Sequence, residues 1–130
     1  MSSAVSRPPA ADSERALAHF ESLLAFETDC WDVHHAIVNH RKDFVLLDVR
    51  GEALYASGHI EGAVSLPHPR INEESLSRFP LDTLFVVYCA GPHCNGTEKA
   101  AIRLAKLGRP VKKMIGGVTG WIDEGFGLVV

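Results

Sequence analysis

The amino-acid sequence predicts an α/β fold in which helices flank a parallel sheet on both faces. Strand-like and helix-like segments alternate along the chain, an order that favours parallel strands joined by crossover helices. The segment Phe44–Arg50 is nearly continuous in apolar residues, which is typical of a strand buried on both faces. The 130 residues, 46% of them hydrophobic, are enough for one hydrophobic core. We therefore expect a single domain over residues 13–130.

The first part of the chain is predicted to contain a tail, two helices and two strands. Residues 1–12 have no apolar core and are expected to form a flexible tail rather than a signal peptide. Apolar residues recurring on one face predict a helix over Ser13–Ala25. Phe26–Thr28 fits a short edge strand, and Asp29 is a typical N-cap for the helix that follows. Phe44–Arg50 is then the first long buried strand.

The middle of the chain is expected to hold shorter elements. Glu52–Ala56 can form only a short helix, because Ser57-Gly58 ends it. Ala63–Pro67 predicts a third strand, in which the proline ends the pairing. Asn72 with the acidic pair behind it predicts a capped helix that runs through Arg78.

The last part of the chain is predicted to begin with the strand Leu84–Cys89. After a loop, Asn95 is expected to cap a helix, with Glu98 in the reciprocal position of a capping box. A fifth strand, Val111–Ile115, and a short closing helix around Trp121 complete the predicted domain.

The end of the fourth strand carries the strongest functional signal. Cys89 is followed by a loop rich in glycine, proline and polar residues, Ala90–Gly96, which leads into a helix. Backbone N–H groups at a helix N-terminus have no intrahelical partner, and the helix dipole favours negative charge there. Such positions can lower the pKa of a cysteine to about 3.5–7.5. Cys89 is therefore predicted to be a nucleophile that is held as a thiolate.

Three motifs in order connect this cysteine to a known family. They are Asp48-Val49-Arg50 with Tyr55, Ser57–Val64 and Leu66-Pro67; then Val87-Tyr88-Cys89 with its loop; and Ile115-Gly116-Gly117 with Trp121. Together they resemble the signature, the active-site strand and the closing motif of single-domain rhodaneses. The resemblance extends from Phe26 to Gly127. It implies a five-stranded parallel sheet flanked by helices and a cysteine that carries sulfur as a persulfide.

The resemblance also implies a reaction and its participants. Cys89 would attack the outer sulfur of a donor such as thiosulfate or a persulfide, and cyanide or another thiol would then accept that sulfur. A protein can serve as donor or acceptor, and no cofactor is implied. Asp48, Arg50 and His59 match positions that support the family's structure near the site. Backbone N–H groups would surround the persulfide from the loop residues Ala90, Gly91, His93, Cys94, Asn95 and Gly96.

The loop departs from the common single-domain pattern in two ways. It is about two residues longer, and it contains no arginine. A cationic side chain would help to bind the thiosulfate dianion, so thiosulfate is a doubtful physiological donor. A rhodanese-fold phosphatase or arsenate reductase is disfavoured for a related reason. Phosphoryl transfer needs an arginine in the loop to hold the equatorial oxygens, and this loop has none.

Cys94 and the remaining histidines leave alternatives open. Cys94 can attack a persulfide on Cys89 to form a disulfide, act as a second sulfur carrier, or occupy the loop passively. With Cys89 it can also form the switch of a non-catalytic sulfide or redox sensor or docking module. His93 either contacts the anionic sulfur or faces solvent. No metal is predicted, because the Cys-x₄-Cys spacing lacks a second compact ligand pair. Cys30 is expected to be buried and inert.

Composition narrows the range of partners. The formal net charge of −3 gives no reason to expect binding to nucleic acid or to an anionic membrane. The apolar runs are strand-sized, far below the roughly 20 residues that span a bilayer. Three cysteines are too few for a disulfide-stapled secreted scaffold, so a cytoplasmic protein with reduced thiols is expected.

Overall fold

The computed structural model describes residues 1–130 and contains five α-helices, five strands and one 3₁₀ turn. The helices are α1 (Ser13–Phe26), α2 (Cys30–Val38), α3 (Glu52–Ser57), α4 (Gly96–Lys106) and α5 (Gly117–Asp123). The strands are β1 (Glu27–Asp29), β2 (Val45–Asp48), β3 (Val64–Ser65), β4 (Phe85–Tyr88) and β5 (Val111–Ile115), and the 3₁₀ turn is His68–Arg70.

The five strands form one parallel sheet in the order β1-β5-β4-β2-β3. β4 lies in the centre, where Val87 is opposite Leu47 of β2 and Lys113 of β5. All four residues of β4 are buried, which agrees with its apolar sequence. The predicted α/β fold with a five-stranded parallel sheet is therefore confirmed.

Each face of the sheet packs a separate apolar cluster because side chains alternate along the strands. Leu46 and Val86 point to one face, where the residues of α2 and α5 include Val33 and Trp121. Leu47 and Val87 belong to the other cluster, together with Leu104 and Ala100 of α4 and with Ile71 and Leu76 from the segment after the 3₁₀ turn. Helices consequently cover both faces, and the centre of the sheet is buried.

The N-terminal region is less integrated than the rest of the chain. Residues 1–12 contain no helix or strand and are exposed. Asp12 caps α1 by accepting a hydrogen bond from the Arg15 N–H at 2.8 Å, yet α1 has no buried residue. The flexibility of the tail and the boundaries of the domain stay predictions. None of the helices combines the length and apolarity that crossing a bilayer requires.

Two predicted helix features are wrong. Asn72 does cap this segment, since its Oδ1 accepts from the Ser75 N–H at 2.8 Å, but residues 73–78 form consecutive turns instead of the predicted helix. The Arg109 guanidinium then binds the carbonyl oxygens of Leu76, Phe79 and Pro80 that close this segment.

The predicted capping box at α4 is also absent. Asn95 is the N-cap residue, but its side chain makes no capping hydrogen bond. The Glu98 carboxylate instead accepts hydrogen bonds from the Thr97 hydroxyl at 2.5 Å and from Lys113 Nζ at 2.7 Å. Because the Glu98 carboxylate forms an ion pair with Lys113 of β5, it does not accept the capping hydrogen bond from the Asn95 N–H at the start of α4.

Candidate active site

The central strand delivers Cys89 to the carboxyl edge of the sheet, where α/β folds bind ligands. The alternation along β4 places Cys89 on the same face as Phe85 and Val87, against α4. Its side chain is only 5% exposed. The sulfur is therefore a buried group at the rim of the core rather than a freely solvated thiol.

The loop after Cys89 is fixed to the start of α5 by backbone hydrogen bonds. The carbonyl oxygens of Cys89 and Ala90 accept from the N–H groups of Val118 and Thr119, both at 3.0 Å. Gly117 makes this approach possible, since a Cβ there would lie 2.5 Å from the Cys89 oxygen. Its φ of 60° also suits glycine. The closing motif predicted from sequence thus holds the catalytic candidate in place.

A second sulfur atom lies beside the first at the N-terminus of α4. A Cβ on Gly96 would be 2.7 Å from Cys89 Sγ and 3.4 Å from Cys94 Sγ, so both sulfurs pack against this glycine. The Gly96 N–H donates to Cys94 Sγ at 3.4 Å, and the Cys89 thiol donates a hydrogen bond to the Cys94 sulfur. The two cysteines therefore form one hydrogen-bonded pair.

The prediction that Cys89 rests as a low-pKa thiolate is wrong. Burial raises the pKa of the Cys89 thiol to about 11, and its hydrogen bond to Cys94 adds to this effect. The backbone N–H groups of Ala90 and Gly96 lower it, but they do not outweigh the loss of solvation. The pKa of Cys94 is lowered by the hydrogen bond from Cys89 and by the Gly96 N–H. The two pKa shifts run in opposite directions, so Cys94 loses its proton more readily than Cys89.

The predicted circle of amides around the sulfur is only partly formed. The N–H groups of Ala90 and Gly96 face the two thiols. The N–H of Cys94, in contrast, donates to the Gly91 oxygen at 3.0 Å and serves the loop itself. A longer loop uses some of its own donors to make a turn, which the residue count could not reveal.

Two cavities meet at the sulfur pair. The smaller one, of about 170 Å³, is bordered by both cysteines and by Gly116-Gly117 at the start of α5. The larger one, of about 470 Å³, is bordered by both cysteines together with His68 and Lys99. Both volumes exceed the space of one water molecule, about 30 Å³, so a small sulfur compound can approach the pair.

Lys99 is a site residue that the sequence prediction did not place. It stands in the first turn of α4, lines the larger cavity, and lowers the pKa of Cys94 and of His68. A lysine three positions after the loop's last glycine is the signal that points to it, since the first helical turn faces the loop. The arginine-free loop is therefore accompanied by a cation from the helix.

The other predicted loop residues differ in exposure. His93 is exposed, borders neither cavity, and directs its ring toward Gly91. Asn95 is exposed as well and borders the larger cavity. No group of three or more histidine, cysteine or acidic side chains is arranged to hold a metal ion. The sulfur pair and the nearby Lys99 are the candidate reactive groups of this site.

Asp48 and Arg50 form a buried polar network at the end of the neighbouring strand. Arg50 Nη2 lies 2.7 Å from Asp48 Oδ2 and also donates to the Gly58 oxygen at 2.7 Å. The Tyr88 hydroxyl donates to Asp48 Oδ2 at 2.8 Å and accepts from the Ile60 N–H. This network ties the residue before Cys89 to β2 and to the segment after α3.

His59 lies farther out and supports that same segment. Its Nδ1 is 2.9 Å from the Tyr55 oxygen, and its ring stacks on the Tyr55 ring with centroids 3.7 Å apart. The His59 backbone also pairs with Val129 near the C-terminus. These contacts make His59 a packing and pairing residue.

Comparison with known proteins agrees with this arrangement. The family model of the rhodanese-like domain matches residues 32–124, and the chain belongs to that family. Its structure superposes on that of the BH2092 protein from Bacillus halodurans with a TM-score of 0.87 and 35% identity, covering 91% of this chain and 86% of the other.

Two further relatives come from larger proteins. The HTH-type transcriptional regulator Rv0324 of Mycobacterium tuberculosis is 33% identical over 90 residues, which are 64% of this chain and 39% of the regulator. The thiosulfate sulfurtransferase of Pseudomonas aeruginosa shares the fold, with a TM-score of 0.67 and 22% identity over 84% of this chain and 21% of that one. The chain thus spans well under half of each of these two proteins.

Proposed function

We propose that the protein is a sulfurtransferase that moves sulfane sulfur from a donor to a thiophilic acceptor through a persulfide on Cys89. The observation that carries the proposal is the position of Cys89 within a rhodanese-like domain. It follows directly after the central strand, borders two cavities, and accepts from the N–H groups of Ala90 and Gly96. These donors suit the anionic sulfur of a persulfide.

The hydrogen bond between the two cysteines supplies a route for the proton. The pKa of Cys89 is raised while that of Cys94 is lowered, so the Cys94 sulfur is placed to accept the proton that Cys89 must lose. As Cys89 Sγ attacks the outer sulfur of thiosulfate, its proton passes to the Cys94 sulfur, the sulfur–sulfur bond of the donor breaks, and sulfite leaves with the bond's electron pair. Lys99 at the larger cavity favours an anionic donor.

The test is transfer to cyanide. The protein is incubated with thiosulfate, or separately with benzenethiosulfonate, and thiocyanate is measured over time. Cys89→Ser is expected to lower the rate by more than about 10³-fold, because the nucleophile is lost. Cys30→Ser is the matched control and should keep the wild-type rate, since Cys30 lies on the opposite face of the sheet. Full turnover by Cys89→Ser would refute the proposal.

A second candidate function is a sulfane-sulfur or redox sensor. The hydrogen-bonded pair of Cys89 and Cys94 favours it, because two adjacent thiols can store an oxidation event as a disulfide. A segment similar to this chain also occurs within a transcriptional regulator. Stable modification of the pair with no thiocyanate turnover would support sensing over transfer. A cytoplasmic location suits either function and stays a prediction.

A further inference from the structure

We propose that Cys94 resolves the Cys89 persulfide: its thiolate attacks Cys89 Sγ, hydrosulfide leaves, and a Cys89–Cys94 disulfide remains. This inference rests on the proposed function, because it requires sulfur on Cys89. The protein would then be a thiol-dependent reductase of sulfane sulfur as well as a carrier.

The first support is the position of the two sulfur atoms beside one glycine. A Cβ on Gly96 would lie 2.7 Å from Cys89 Sγ and 3.4 Å from Cys94 Sγ, so the two sulfurs are neighbours. An attacking group that is already beside its target reacts far faster than one that must be bound from solution. We therefore expect Cys94 to react with Cys89 Sγ before any external thiol does.

The second support is the difference in access. Cys89 is 5% exposed, whereas Cys94 is half-buried and borders both cavities. A protein or peptide acceptor cannot reach the buried inner sulfur of a Cys89 persulfide without moving the loop. Cys94 needs no such movement, because it forms part of that loop.

The third support concerns which thiol attacks. The pKa of Cys94 is lowered by the Cys89 hydrogen bond, by the Gly96 N–H and by the nearby Lys99 charge. The last two of these remain after Cys89 has become a persulfide, and Cys94 can lose its proton to the solvent in the cavities. A lowered pKa increases the fraction of Cys94 present as thiolate, and the thiolate is the attacking nucleophile in thiol exchange.

The fourth support decides which sulfur is attacked. Attack on the outer sulfur would expel the Cys89 thiolate, and burial raises the pKa of that thiol to about 11. Attack on the inner sulfur expels hydrosulfide, the anion of a stronger acid. Because a leaving group of lower pKa leaves faster, disulfide formation is favoured over transfer of the sulfur to Cys94.

The step is balanced in atoms and electrons. The Cys94 thiolate forms a bond to Cys89 Sγ, and the bond between Cys89 Sγ and the outer sulfur breaks with both electrons on the outer sulfur. The proton that Cys94 gave up to the solvent of the cavities is taken up by the outer sulfur, which therefore leaves as hydrosulfide. The outer sulfur is reduced while the two cysteines are oxidised to a disulfide. A reducing thiol, either a small-molecule thiol or a dithiol protein, must then restore the pair before another cycle.

The experiment is a single turnover without any added thiol. The full-length wild type, Cys94→Ser and Cys30→Ser are reduced, freed of reductant under argon, and incubated with thiosulfate or benzenethiosulfonate until loading is complete. Released hydrosulfide is trapped with monobromobimane, and intact mass is measured after acid quenching. Wild type and Cys30→Ser should release one hydrosulfide per chain and become two hydrogens lighter. Cys94→Ser should gain one sulfur atom and release none.

Each other outcome has a definite meaning. A wild type that keeps a stable persulfide, a wild type with the sulfur on Cys94, or a Cys94→Ser protein that releases hydrosulfide equally well would overturn the inference. In the first two cases a persulfide on Cys89 of Cys94→Ser would leave the proposed sulfurtransferase intact, and in the third case a persulfide on Cys89 at early time points would do so. Absence of sulfur on Cys89 in every protein would overturn both. Cys94→Ala gives a second variant that removes the thiol at a half-buried position.

Discussion

Cys30 and Cys89 provide a direct comparison within one molecule, because burial treats them alike. Each is 5% exposed, each lies next to the N-terminus of a helix, and burial raises the pKa of each thiol to about 11. The helix dipole alone would predict the same reactivity for both thiols. Their immediate neighbours set them apart.

The neighbours of Cys30 are hydrogen-bond acceptors and negative charges. Its thiol faces the carbonyl oxygens of Ile115 and Gly117 at 3.5 and 3.7 Å, and Asp29 and Glu124 raise its pKa further. Cys89 instead faces backbone N–H donors and a second thiol that can take its proton. Backbone N–H donors and a neighbouring proton acceptor, rather than burial or helix position, therefore distinguish a reactive cysteine from one that only packs in the core.

The largest expected contrast is the rate of alkylation in the native protein. With iodoacetamide at pH 7.5, Cys94 should react first, because it is half-buried with a lowered pKa. Cys30 should react only after the domain opens, which slows it by at least about 10³-fold relative to Cys94. Quenched time points and peptide mass mapping give both rates.

The Cys94→Ser protein sharpens this measurement. Removing Cys94 also removes the hydrogen bond that raises the pKa of Cys89, so alkylation of Cys89 should begin at lower pH than in the wild type. Cys30 should show the same slow rate in both proteins. If Cys30 were alkylated as fast as Cys94, the thiols at the two helix N-termini would not differ in accessibility and pKa as the structure indicates.

A pair of glycine substitutions tests the same contrast through packing. In Gly96→Ala the new methyl would lie 2.7 Å from Cys89 Sγ, so a sulfur of the pair must move. In Gly120→Ala it would lie 3.3 Å from Cys30 Sγ, where a shift of a few tenths of an ångström suffices. Displacing a reacting atom by about 1 Å can cost about 10²-fold in rate. Gly96→Ala should therefore lose about 10²-fold in thiocyanate formation, and Gly120→Ala less than about twofold.

Stability separates this effect from simple misfolding. Overpacking typically costs about 1–3 kcal/mol, and alanine is favoured over glycine by about 1 kcal/mol in a helix. Urea unfolding should show both variants folded, with Gly120→Ala within about 1 kcal/mol of wild type. If both variants lost activity in proportion to their loss of stability, the sulfur pair would have no special sensitivity to its glycine.

The contrast also shows what the sequence could predict. Apolar runs and alternating patterns sufficed for the parallel sheet, and the motif around Cys89 sufficed for the family. The protonation of Cys89 could not be predicted, because it depends on the desolvation of one atom and on the distance between two sulfurs. The position of Lys99 at the site could not be predicted for a similar reason. Which side of α4 faces the cavity is determined only when the helix packs against the sheet.

The failed helix at residues 72–78 has a physical cause of the same kind. Asn72 and the residues after it carry the right local signals for a helix. In the fold, three carbonyl oxygens of this segment turn toward Arg109, a residue about 30 positions away. A tertiary contact thus overrides the local helix preference, and a short window of sequence does not contain that contact.

The smallest predicted effect is the alkaline sensitivity that Cys30 adds to stability. Its folded pKa of about 11 lies above the ordinary value of 9.0, so the folded state holds the proton more tightly than the unfolded state. That contribution is fully present below pH 9 and is lost as the pH rises toward 11. Cys30→Ser should therefore lose about 1 kcal/mol less than wild type between pH 8 and 10. Urea unfolding under reducing conditions at the two pH values measures the difference, and Tyr88 contributes equally to both proteins. Identical pH dependence in the two proteins would mean that burial does not raise the pKa of the Cys30 thiol.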